Sequence, residues 1–90
     1  MNWNKKEHDF GIVANNTTNY TSFEYLGTED VERMVFETSC GCTSGEWNKA
    51  NKVYSCGILI TDIKIATVTV HYPNGIDKEI LVLKGHGQWQ

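Results

Sequence analysis

Apolar and polar positions along this 90-residue chain follow the two-residue period of β-strands more often than a helical period. The clearest case spans residues 63–72, where Ala66, Val68, Val70 and Tyr72 alternate with Thr67, Thr69 and His71. Pro73-Asn74-Gly75 follows, and Asn-Gly suits the positive φ of a hairpin turn. Residues 79–84 are therefore expected to return beside that strand. Upstream, Phe10 to Val13 is a short apolar run, closed by the polar cluster of residues 15–19. Residues 20–26 place Phe23 and Tyr25 on one face. Residues 31–38 read as a strand with Met34 and Phe36 opposite Val35, in preference to two helical turns capped by Thr28, because β-branched residues are frequent there. Residues 39–51 read as irregular, 52–54 as a short edge strand and 57–61 as another apolar run. Six or seven short strands between turn clusters predict an all-β fold: an immunoglobulin-like antiparallel β-sandwich of about seven strands, one domain over residues 1–90. Phe10, Phe23, Tyr25, Phe36, Val68, Val70 and Leu83 are its expected core.

Length limits this core. A chain of this size buries roughly 60–65% of the surface it exposes when unfolded, so its stability is expected to be modest. Three Trp, four Tyr and three Phe nevertheless supply enough apolar area to argue against disorder. The formal net charge is −3 and the basic residues are scattered, which argues against a nucleic-acid partner. No stretch approaches the ~20 apolar residues of a membrane span. The opening Met1-Asn2-Trp3-Asn4-Lys5-Lys6-Glu7 lacks the apolar centre of a signal peptide, so synthesis in the cytoplasm is expected, with no membrane partner.

Several segments together resemble a known family. They are His8-Asp9-Phe10-Gly11-Ile12-Val13, Phe23-Glu24-Tyr25-Leu26-Gly27, Thr38-Ser39-Cys40-Gly41-Cys42-Thr43 and Leu81-Val82-Leu83-Lys84-Gly85. The pattern is similar to that of a bacterial and phage domain-of-unknown-function family with a Ser-Cys-Gly-Cys-Thr signature, related to the abnormal-spindle and Hydin-type immunoglobulin-like domains. The resemblance runs from His8 to Gly87. It departs at Ser55-Cys56-Gly57, where that family usually has a Pro-Gly turn, and at Tyr25, which often is Asn. It implies the sandwich fold and no particular activity.

Cys40, Cys42 and Cys56 are the sharpest candidates for chemistry. Three thiolates with a histidine could complete a zinc site, but zinc pairs usually stand two to four residues apart, not one. The favoured expectation is that Cys40 and Cys42 are small buried hydrophobes with free thiols; a metal site and a disulfide to Cys56 are the alternatives. No cofactor is expected. His8, His71 and His86 are far apart in sequence, no Gly-x-Ser-x-Gly elbow occurs, and Glu29, Asp30 and Glu32 read as a solvated turn. An enzyme is therefore not expected.

The interface candidates are Trp3, Trp47 and Trp89, with Ile58 and Ile60 if residues 57–61 form a sheet edge. Trp47 could equally fold back over the core, and for residues 57–61 an interior strand is the favoured reading. The expected function is structural: a protein-binding component of a larger assembly, most readily a bacteriophage capsid decoration or cement protein, made in the host cytoplasm and located in the virion. The alternatives are a cytoplasmic protein-binding adaptor and a small cysteine-based metal or redox protein.

Overall fold

The computed structural model describes residues 2–41 and 43–89. In chain order its strands are β1 (Glu7–Ala14), β2 (Thr17–Glu24), β3 (Val35–Thr38), β4 (Thr43–Asn48), β5 (Val53–Ile60), β6 (Ile63–His71) and β7 (Lys78–Gln88). They form a four-stranded sheet in the order β1-β7-β6-β3 and a three-stranded sheet in the order β2-β5-β4, packed as a β-sandwich. Lettered A to G, these are A-G-F-C and B-E-D, the immunoglobulin-type arrangement with its first strand on the G side.

The hairpin predicted at Pro73-Asn74-Gly75 joins β6 to β7, with Val68 opposite Leu81. Gly75 has φ +74°, and the Asn74 side-chain oxygen accepts from the backbone N–H groups of Ile76 and Asp77, both at 2.9 Å. The expectation of purely antiparallel pairing needs one correction: β1 runs parallel to β7. These are the first and last strands, and parallel neighbours need a long connection, which here is the rest of the chain.

The amino-terminal stretch belongs to both sheets. Trp3 bridges Tyr25 antiparallel to β2, Asn4 N–H donates to Glu24 O at 2.9 Å, and Val82 N–H on β7 then donates to Lys6 O at 2.8 Å. The chain thus crosses from the small sheet to the large one at Lys5 and Lys6. Lys5 Nζ donates to Thr21 Oγ1 at 3.0 Å and lies 5.4 Å from the centre of the Phe23 ring, which it covers.

Of the expected core, Phe23, Tyr25, Val68, Val70 and Leu83 are buried, and Phe10 and Phe36 pack half-buried against them. Three local readings change. Residues 31–33 form a 3-10 turn capped by the Asp30 carboxylate, so the strand begins only at Val35. Residues 43–48 form a strand despite their polar composition. Residues 53–60 are one strand at the centre of the small sheet, because Gly57 lies beneath the Tyr20 ring and needs no turn.

Candidate interaction surface

Alternation along β6 turns Ala66, Val68 and Val70 into the core, so Ile63 and Ile65 face out with the threonines. On β7, Leu81 and Leu83 face in, which turns Lys84 and His86 out. β1 adds a third outward isoleucine through a bulge. Gly11 adopts φ +72°, its N–H donates to the Asp9 carboxylate at 2.8 Å, and the register with β7 shifts between Asp9 and Ile12. The shift points Ile12 outward although Phe10 packs against the core.

These residues meet in rows. Ile12 and Ile63 flank His86; Asp9 and Ile65 flank Lys84. Together they line a shallow depression of about 350 Å³ on the outer face of the large sheet. Ile12 also borders Trp89 in the adjoining depression. The result is a band of exposed apolar side chains: Ile12 69%, Ile63 75%, Ile65 64% and Trp89 72%. Its charges are of both signs: Lys84 Nζ stands 2.7 Å from Glu7 Oε1, and this contact raises the Lys84 pKa.

Trp89 is exposed and yet held. Its indole N–H donates to Asp62 Oδ1 at 2.9 Å. Asp62, in the left-handed region at φ +52°, donates its own N–H to the Asn15 side-chain oxygen at 2.7 Å and accepts from Gly87 N–H at 2.5 Å. The β1–β2 turn, the β5–β6 turn and the end of β7 meet at this one end of the sandwich, and Asp62, which lies in the second and is bonded to the other two, positions the tryptophan.

The other interface candidates lie elsewhere. Trp3 is 7% exposed; its ring centre is 5.1 Å from that of Tyr25 and 6.1 Å from that of Phe36. Ile58 and Ile60 are fully buried, because they lie on the core-facing side of β5, which is itself an interior strand. These three side chains pack in the core, and residues 57–61 are the interior strand that the sequence also allowed. Trp47 is half-buried on β4, not in a loop. It packs 4.8 Å from Phe36 and donates to Val31 O at 3.0 Å, covering the end of the core. Trp89 is the interface candidate that keeps its surface.

A buried polar chain ties the amino-terminal stretch down. Trp3 Nε1 donates to the Tyr72 hydroxyl at 2.8 Å, Tyr72 donates to Glu79 Oε1 at 2.5 Å, and Lys6 Nζ pairs with Glu79 Oε2 at 2.9 Å. Burial raises the Tyr72 pKa, and its bond to Glu79 raises it further. Burial works against the Glu79 carboxylate, but the bonds from Tyr72 and Lys6 outweigh it and hold its pKa below the usual value. Trp3, Tyr72 and Glu79 are each turned toward another polar group, and Lys6 closes the chain from the surface, the arrangement of a structural fastening.

The cysteines do not converge. Cys56 is a free, buried thiol on β5 whose pKa burial pushes up to about 11. Cys40 is half-buried and disulfide-bonded, so the expectation of a free Cys40 thiol is corrected; its partner is not Cys56, which is free. Cys42 lies outside the described residues. Among the described residues no three His, Cys, Asp or Glu side chains stand close enough to hold a metal ion. His71 meets Glu37 at 3.1 Å on the outer face, and His8 Nδ1 accepts from Lys5 Nζ at 2.9 Å. Burial, and then the Lys5 charge, lower the His8 pKa.

Ile12, Ile63 and Ile65 escaped the sequence reading. Ile63 and Ile65 carried a signal: two large apolar residues in phase with the polar side of an alternating strand. Ile12 carried none, because its direction depends on the bulge. The chain matches no family model and no curated protein.

Proposed function

We propose that this domain is a non-enzymatic assembly module, and specifically an accessory structural protein of a bacteriophage particle, such as a capsid decoration or cement protein. The observation that carries the reading is the apolar band formed by Ile12, Ile63, Ile65 and Trp89. Three isoleucines and a tryptophan leave on the order of 500 Å² of largely apolar surface in water, the size at which a patch on a small domain serves docking. Trp89 is already oriented by Asp62, so little side-chain freedom remains to be lost on contact. Tryptophan held in this way is the usual anchor of a protein interface. The particle as destination rests on fold-level analogy with single immunoglobulin-like domains.

The test is direct. Particles purified from the source should carry the chain in stoichiometric copies. Trp89→Ala and Ile63→Lys should each weaken attachment by about thirtyfold, the effect of losing ~2 kcal/mol at an interface hot spot. Both side chains are exposed, so the fold should survive. Full attachment of both variants, or particles without the chain, would overturn the proposal.

A further inference from the structure

We infer that the apolar band on the large sheet docks a second copy of this chain, face to face. The inference rests on the assembly reading above and names the partner of the same surface. Two features of the band select that occupant. The first is charge. The charged groups lining the depression are Asp9, Lys64 and Lys84, and Lys84 is paired with Glu7 on β1. Such a nearly balanced set gives a strongly charged partner no field to read. A self-contact brings the same patch to both sides, so it is penalised when the patch carries one sign and tolerated when both signs are present. The band fits a partner that is apolar and nearly neutral, and the band itself is a surface of that description.

The second feature is area. The three isoleucines and the tryptophan of the band expose on the order of 500 Å² on each copy. Two such faces would bury roughly 1,000 Å² in total, the lower bound for a specific contact and the range of transient ones. The band is thus large enough for a weak symmetric pair and too small for an obligate dimer. Sheets pack face to face about 10 Å apart with their side chains interdigitated, and Ile12, Ile63 and Ile65 beside the flat His86 ring supply the relief for it. A weak self-contact of this kind adds up when many copies are held on one scaffold.

Sedimentation equilibrium on the full chain tests the inference. The mean mass should rise from monomer toward dimer over roughly 10 μM to 1 mM, as a transient interface of this size requires. Ile63→Lys and Ile65→Lys should abolish the rise. Ile76→Lys should leave it intact, because Ile76 is 84% exposed in the β6–β7 turn away from the band. A monomer at every concentration, or association that survives both band variants, would overturn the inference. Loss of particle attachment in those variants without any self-association would reject the second copy and leave the assembly reading standing. Self-association through the band with attachment unaffected would reject the assembly reading's use of this surface instead.

Discussion

Glu79 illustrates how one side chain can connect the first residues to the last strand. Its carboxylate accepts from Tyr72, which in turn accepts from Trp3, and it pairs with Lys6. Only 12% of its side chain is exposed, which shelters the Tyr72 bond, whereas Lys6 is 60% exposed and its pair with Glu79 is screened by water. Because the Glu79 pKa is lower in the folded protein than in the unfolded chain, its contribution is fully present above the unfolded value. It is lost as pH falls through the folded value. Glu79→Gln should therefore cost about 1–3 kcal/mol at pH 7, the range for a hydrogen bond to a charged group. The difference from the unmodified chain should shrink as pH falls below the usual carboxylate range and through the lowered folded value, where the native carboxylate takes up its proton. Urea unfolding of both proteins at pH 7 and pH 3 measures it. An equal gap at the two pH values would mean that Glu79 acts through packing and not through charge.

At the scale of elements, two glycines on neighbouring strands give opposite expectations. A Cβ on Gly45 of β4 would collide with the Tyr54 hydroxyl and Cζ. Tyr54 is buried and stacked on Phe36 at 4.3 Å, with its pKa pushed up to about 12 by burial, so it has nowhere to go. A Cβ on Gly57 of β5 would instead meet the Tyr20 ring at 2.7 Å, and Tyr20 is 75% exposed. Gly45→Ala should cost about 1–3 kcal/mol, the usual penalty for overpacking. Gly57→Ala should change stability by less than about 1 kcal/mol, since Tyr20 can swing into water while the strand gains backbone stiffness. Chemical denaturation of the two variants ranks them; a larger loss at Gly57 would place the rigid contact on the wrong face of the small sheet.

For the whole molecule, the decisive feature is that residues 2–6 close one side of the sandwich. They pair with β2, cross over Phe23 and pair with β7, and Trp3 fills the aromatic end between Tyr25, Phe36 and Trp47. A 90-residue domain has about 5–13 kcal/mol of net stability, and removing a buried Trp side chain costs about 3–5. Trp3→Ala should therefore leave a domain that opens far more often. Cys56 reports the opening, because its thiol is buried beneath the Lys5 crossing and holds its proton. Under native conditions its alkylation should accelerate by at least about 100-fold in Trp3→Ala, the equivalent of ~3 kcal/mol in the opening equilibrium. Unchanged labelling would show that the amino-terminal stretch is an ornament on a sandwich that closes without it.

What the sequence by itself determined was the class of fold and the strands whose alternation is uninterrupted. Ala66, Val68 and Val70 against Thr67 and Thr69, followed by Asn74-Gly75, specify a strand, its buried face and its hairpin, because period and turn chemistry are local properties. Phe23 and Tyr25 are legible for the same reason. Tertiary structure alone decided the rest. Whether residues 57–61 lie at an edge depends on which strands flank them, and β2 and β4 supply both neighbours. A tryptophan reads the same in sequence whether its pocket is its own core or another chain; Trp3 is buried by residues 22 to 69 positions away, and Trp89 is left in water by a single bond to Asp62. The exposed band shares this origin. Ile12 joins Ile63 and Ile65 only because a bulge at Gly11 reverses the phase of β1, and because the first strand pairs with the last. Contacts between chain ends are invisible to any local pattern, and they assemble the surface on which the proposed function rests.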